Sequence, residues 1–123
     1  MILASLLLGG LSTVIAMAIQ VAAVVIMIRY LIRVQAHPSW MDNESFVYDT
    51  LILITVLMVL FTGHLVQISI WAALFVHLGE FSDFQTALYH STVNFTSLGY
   101  GDIVMSRHWR LLGALETANG VLM

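Results

Sequence analysis

The residues with the most specific chemistry run Phe95-Thr96-Ser97-Leu98-Gly99-Tyr100-Gly101-Asp102. What they offer is backbone. A bare cation leaving water needs oxygens at the distance of its lost hydration shell, and rings of backbone carbonyls around an axis supply them. Successive carbonyls can face one axis only if alternate residues take positive φ, a conformation that glycine adopts at little cost. Gly99 and Gly101 occupy alternate positions, and Tyr100 between them carries a ring that can face away from the axis and hold the oxygens apart. A tight glycine turn between two buried helices is the plainer reading of the same residues.

Such a loop needs elements that hold it at membrane depth, and the composition provides for them. Of 123 residues, 60% are hydrophobic and 9% charged, with a mean hydropathy of +0.96. The seven acidic and four basic residues leave 1–28 and 50–79 free of charge. At about 1.5 Å of rise per residue, either window exceeds a hydrocarbon core of roughly 30 Å. A net charge of −3 and the absence of lysine give nucleic-acid binding no electrostatic footing. Cysteine is absent, which excludes disulfides, thiol catalysis and thiolate metal sites.

Residues 1–33 read as a first transmembrane helix. Ala16-Met17-Ala18 has the form of a cleavage site, but no basic residue precedes the apolar run, so the expectation is an uncleaved helix. Gly9-Gly10 and Ser12 mark a loose first turn or a close helix contact, Gln20 predicts an interhelical hydrogen bond, and Arg29 and Arg33 are placed to snorkel. Residues 34–49 form a polar linker with Pro38, Trp40, Asp42, Glu44 and Asp49, in which Trp40 and Phe46 suit a short interfacial helix. Residues 50–80 hold the second transmembrane helix. His64 and Gln67 share one face at the three-residue spacing, suited to packing against the first helix with Gln20 as a partner for His64; proton sensing by His64 is the other reading. Trp71 and His77 approach the far interface.

Residues 81–96 are too short to span and are followed at once by the glycine motif, which predicts a helix that enters the membrane and turns back. Ser82 reads as its N-cap, with Gln85 completing a capping box. Its carboxyl end carries partial negative charge that favours a cation nearby. Irregular backbone is tolerated at depth only where protein or water surrounds it, so one chain with one such loop must join several copies. From Arg110 an apolar helical pattern runs to Met123, too short to cross.

The segment FTSLGYGD resembles the selectivity filter T-x-G-Y-G-D of the potassium-channel family, in its bacterial, pore-loop form, and the resemblance covers about residues 81–123. It implies an all-α membrane protein with three transmembrane helices per subunit and a re-entrant pore helix (81–102 with its filter), assembled as a homotetramer among membrane lipids. It implies passive flow of K+ as the transported ion, held by the carbonyls of Ser97, Leu98, Gly99 and Tyr100 with Gly101 beside them and the Ser97 hydroxyl at the inner end. Thr96 and Asp102 would support the filter, and Tyr89 and His90 would brace it by reaching Asp102 and Tyr100. Val93 stands where some relatives carry a buried glutamate, Ser97 replaces threonine and Leu98 replaces valine or isoleucine. Residues 103–123 would be an outer turn and the start of the inner pore-lining helix, with Gly120 as a hinge, Asn119 lining the cavity and Glu116 supporting the pore helix. The filter would face outside the cell membrane, with 34–49 cytoplasmic. No organic cofactor and no catalysis are implied. A weakly selective Na+/K+ channel and a non-conducting scaffold subunit fit the same residues.

Overall fold

A computed structural model describes residues 2–36 and 46–123. Four helices follow in order: α1 Ile2–Gln35, α2 Phe46–His77, α3 Phe84–Phe95 and α4 Arg110–Leu122. Helices α1 and α2 have 34 and 32 residues, about 50 Å each at the helical rise, and both are long and apolar enough to cross a membrane. Their large side chains are mostly outward, among them Leu3, Leu7, Leu11, Leu53 and Leu57. In lipid that exposure has no cost, whereas in water a patch of this size would demand a partner.

Helix α2 begins at Phe46 rather than near residue 50, so Phe46 and Asp49 belong to its first turn and not to a linker. An acidic residue there complements the positive end of the helix dipole. The readings placed on Pro38, Trp40, Asp42 and Glu44 lie outside the described residues.

The start of α1, the end of α2 and the start of α4 gather at one end of the bundle. Ser5 Oγ donates to the carbonyl of His108, just before α4, at 3.3 Å. Glu80, just after α2, bonds Ser106 from the same side. So α1 runs parallel to α4 and antiparallel to α2. The seam between α1 and α4 is made of small residues: Ser5, Gly9, Ser12 and Ala16 are buried, and a Cβ added at Gly9 would run into the Leu115 side chain. Further along α1, Gln67 Nε2 donates to Gln20 Oε1 at 2.9 Å, and Gly63 lets α1 come close, with Ala23 on the facing surface.

Gln20 is therefore the partner of Gln67 and not of His64. The His64 ring instead meets the edge of Phe95 at a centroid distance of 5.8 Å, because one further turn of α2 rotates it toward α3. Trp71 is also displaced from its expected interfacial place: it is fully buried and packs with Phe75, Ile68, Phe95, Met105 and Leu112 in the apolar core. Its spacing from Ile68 and Phe75 puts all three on one face of α2, and that face meets α3 and α4 rather than the membrane boundary.

Gly120 is shaped by packing. A Cβ there would overlap the carbonyl oxygen of Phe95, the last residue of α3. Its lack of a side chain lets the α4 backbone touch the α3 terminus, which accounts for the glycine without a hinge. Gly10, by contrast, has open space around it. Gly120→Ala should cost about 1–3 kcal/mol through overpacking, while Gly10→Ala, inside a helix with open space around it, should be neutral or stabilise by up to about 1 kcal/mol. Unfolding of both variants in detergent micelles checks the contrast, and equal stabilities would remove the packing account.

Candidate functional site

Helix α3 points the loop. Its N-cap is Asp83, not Ser82: one carboxylate oxygen accepts from the Thr86 backbone N–H at 2.7 Å, and the other from the Thr86 hydroxyl at 2.9 Å. Asp83 offers a separate oxygen to each of the two Thr86 donors and stands three residues before them, the N-cap spacing. The backbone and hydroxyl hydrogen bonds from Thr86 hold the Asp83 carboxyl below its ordinary value.

The other end of α3 closes in a Schellman motif. Ser97 N donates to Asn94 O at 2.9 Å and Leu98 N to Val93 O at 3.0 Å, the pair of bonds that defines this cap. Thr96 is bound back to the helix through both its N–H and its hydroxyl, each to Thr92 O. Ser97 occupies the left-handed position with φ +60°, followed by Gly99 at +56° and Gly101 at +73°. The alternation expected of the two glycines thus begins one step earlier, on a serine. For a residue with a Cβ this conformation costs about 1–2 kcal/mol, and the two capping hydrogen bonds, net about 0.5–1.5 kcal/mol each, are large enough to offset it.

Every residue from Thr96 to Asp102 is exposed, with Leu98 at 56% and Tyr100 at 65%. Behind them lies a cavity of about 300 Å³ whose walls include Gly99, Gly101, His90, Asn94, Arg110 and Thr117. The chain therefore braces its loop at the ends and leaves the middle unpacked. At the far end Tyr89 Oη donates to Asp102 Oδ2 at 2.7 Å. His90 does not meet Tyr100. It is buried, its Nδ1 lies 3.0 Å from the Ile103 carbonyl and its Nε2 lies 3.0 Å from Asn94 Nδ2. A tilted contact with Phe81, at a centroid distance of 4.9 Å, and an edge contact with Phe75 turn the ring toward the residue after the loop.

Two supports have partners that the sequence did not reveal. Glu80 accepts from Ser106 N at 2.7 Å and from Ser106 Oγ at 2.5 Å, tying the end of α2 to the segment that leaves the loop. Ser91, in the middle of α3, donates to the Ile68 carbonyl of α2 at 3.0 Å and contacts Glu116 Oε1 of α4. Glu116 also accepts from Asn94 at 3.3 Å, so it supports α3 as its position suggested. The only cue to either clamp was a polar residue in an apolar setting, with nothing to say what it pairs with across 26 or 25 residues. Asn119, expected on the cavity, is 1% exposed and turned into the chain's own interior, where neither of its amide atoms has a partner among the described residues.

Removing the Glu80 clamp should free the Ser106 amide. A hydrogen bond to a charged group contributes about 1.5–3 kcal/mol, so Glu80→Ala should raise amide exchange at Ser106 by about tenfold or more. Hydrogen-exchange mass spectrometry of the 103–109 segment reads this, and unchanged exchange would show that the clamp holds nothing.

A family model described as an ion channel matches residues 54–123, which takes in most of α2 and all of α3, the loop and α4. No curated protein and no solved structure matches the chain. With more than half of its length matched, including the helices that hold the loop, the chain is a membrane protein that belongs to this ion channel family, a family of passive conductors and not of enzymes.

Proposed function

We propose that the protein is a potassium-selective channel in which four copies surround one axis and residues 97–101 form the filter. The observation that carries this reading is the backbone of the loop. Positive φ at Ser97, Gly99 and Gly101 supports an arrangement in which the carbonyls of Ser97, Leu98, Gly99 and Tyr100 replace the hydration shell of K+. Exposure of the whole loop in the single chain supports the need for further copies, because unpaired backbone at membrane depth must be enclosed. Four α3 carboxyl ends directed at one cavity would add a favourable field for a cation.

In this reading α1 and α2 are two of the three membrane helices of each subunit, α4 is the start of the third, and α3 is the re-entrant pore helix. The end of the bundle that gathers Ser5, Glu80 and Ser106 faces outside the cell membrane, and the linker 34–49 is cytoplasmic. Asp102, held by Tyr89, sits at the outer mouth, and Thr96 anchors the inner end. Ser97 and Leu98, with the cavity behind the loop, leave less side-chain packing around the ion path than a β-branched pair would, so selectivity is the property to measure first.

Potassium flux into liposomes holding the purified protein, with sodium as competitor, tests the proposal. Flux should favour potassium and vanish in Gly99→Ala, since alanine at φ +56° adds about 1–2 kcal/mol of strain per subunit. Equal permeation of both ions would replace this reading with a weakly selective cation channel, and no flux from a verified open tetramer would favour a scaffold subunit.

A further inference from the structure

The side chain of Glu116 has no exposed surface, and among the described residues no cation pairs with it. An ionised carboxylate in that position would be costly. The hydrogen bonds around it can be counted proton by proton. A serine hydroxyl carries one proton and two lone pairs, and a carbonyl oxygen carries no proton. Ser91 Oγ lies 3.0 Å from the Ile68 carbonyl, so the hydroxyl proton belongs to that contact. The contact between Ser91 Oγ and Glu116 Oε1 then has a proton only if the carboxyl brings it.

The other carboxyl oxygen closes the count. Asn94 Nδ2 has two protons, one for Glu116 Oε2 at 3.3 Å and one for His90 Nε2 at 3.0 Å. His90 Nε2 is then an acceptor, the ring proton sits on Nδ1, and Nδ1 donates to the Ile103 carbonyl at 3.0 Å. Each contact from Ile68 to Ile103 holds one proton, and every member is neutral.

We propose that Glu116 is a neutral carboxylic acid that donates its proton to Ser91, locking α4 to α3 and, through Asn94 and His90, fixing the backbone at Ile103 directly beyond the loop. It is a positioning residue, since it acts on the ion path only through other groups, and its functional consequence rests on the filter reading above. The charges that face this chain lie at its His90 end, where Asp102 and Glu80 act on the ring and Arg110 lines the same cavity as His90 and Asn94; none of them is paired with Glu116. Helix α1 has no titratable residue from Ile2 to Ile28. On α2, His64 is set against Phe95. On α3, Tyr89 is engaged with Asp102 and His90 is part of the chain. Arg110 is exposed in the first turn of α4.

Infrared spectra of the reconstituted wild-type protein, in water and in deuterated water at neutral pH, test the proton without relying on flux. A carboxylic-acid carbonyl band that shifts on deuteration and is missing from Glu116→Gln is expected. Glutamine can reproduce both bonds of the neutral acid, donating to Ser91 and accepting from Asn94. Glu116→Gln should therefore keep potassium flux within about twofold of wild type, while Glu116→Ala, which leaves Ser91 and Asn94 unpaired, should lower it by about tenfold. A wild-type spectrum without the band, or a glutamine variant as damaged as the alanine one, would overturn the proposal. A band present in a protein that passes no potassium would support the proton and count against the filter reading alone.

Discussion

A helix of twelve residues is too short to cross a bilayer, and α3 with the loop it carries is held in place by the helices packed on either side of it. The hold is polar on one side and steric on the other. Ser91 reaches the backbone of α2 and the carboxyl of Glu116 on α4, while Gly120 brings α4 into direct contact with the Phe95 carbonyl. In lipid there is no hydrophobic force to drive helix on helix, and close backbone approach with interhelical hydrogen bonds takes its place. The same economy recurs between α1 and α2 at Gln20, Gln67 and Gly63.

With α3 held, its own two ends are determined by ordinary capping chemistry. Asp83 satisfies the amino end, and the Schellman bonds to Val93 and Asn94 satisfy the carboxyl end and turn the chain at Ser97. From there the loop runs without packing behind it until Tyr89 meets Asp102 and Glu80 meets Ser106. A segment clamped at both ends and unsupported in the middle leaves its backbone exposed on the single chain. That is the property an ion path made of carbonyls requires.

The all-helical character, the two apolar spans and the positive φ of both glycines were legible in the residues because they rest on local signals: two uncharged apolar windows, a short amphipathic stretch and alternating glycines. What remained hidden depended on which way a helix is rotated. Trp71 has the composition of an interfacial anchor, and only the packing of Ile68 and Phe75 against α3 and α4 makes it core. Gln67 and His64 lie on one face of α2, yet a single turn separates a residue that meets α1 from one that meets Phe95. Asn119 looked like a pore-lining amide and lies inside the chain. Gly120 looked like a bend and is a contact. The left-handed serine was unreadable because its cause is a cap made by residues three and four positions earlier.

The contact between Ser5 and His108 joins positions 103 residues apart. It sets an order of assembly. The first two helices can pair as soon as α2 has entered the membrane, but the small-residue seam of α1 has nothing to close against until α4 has left the ribosome. Until then Ser5, Gly9 and Ser12 face lipid or other proteins, and α1 is free to roll about its pairing with α2. Helix α4 therefore fixes the orientation of α1, which is synthesised well before it, and this end of the bundle becomes rigid only once α4 is in place.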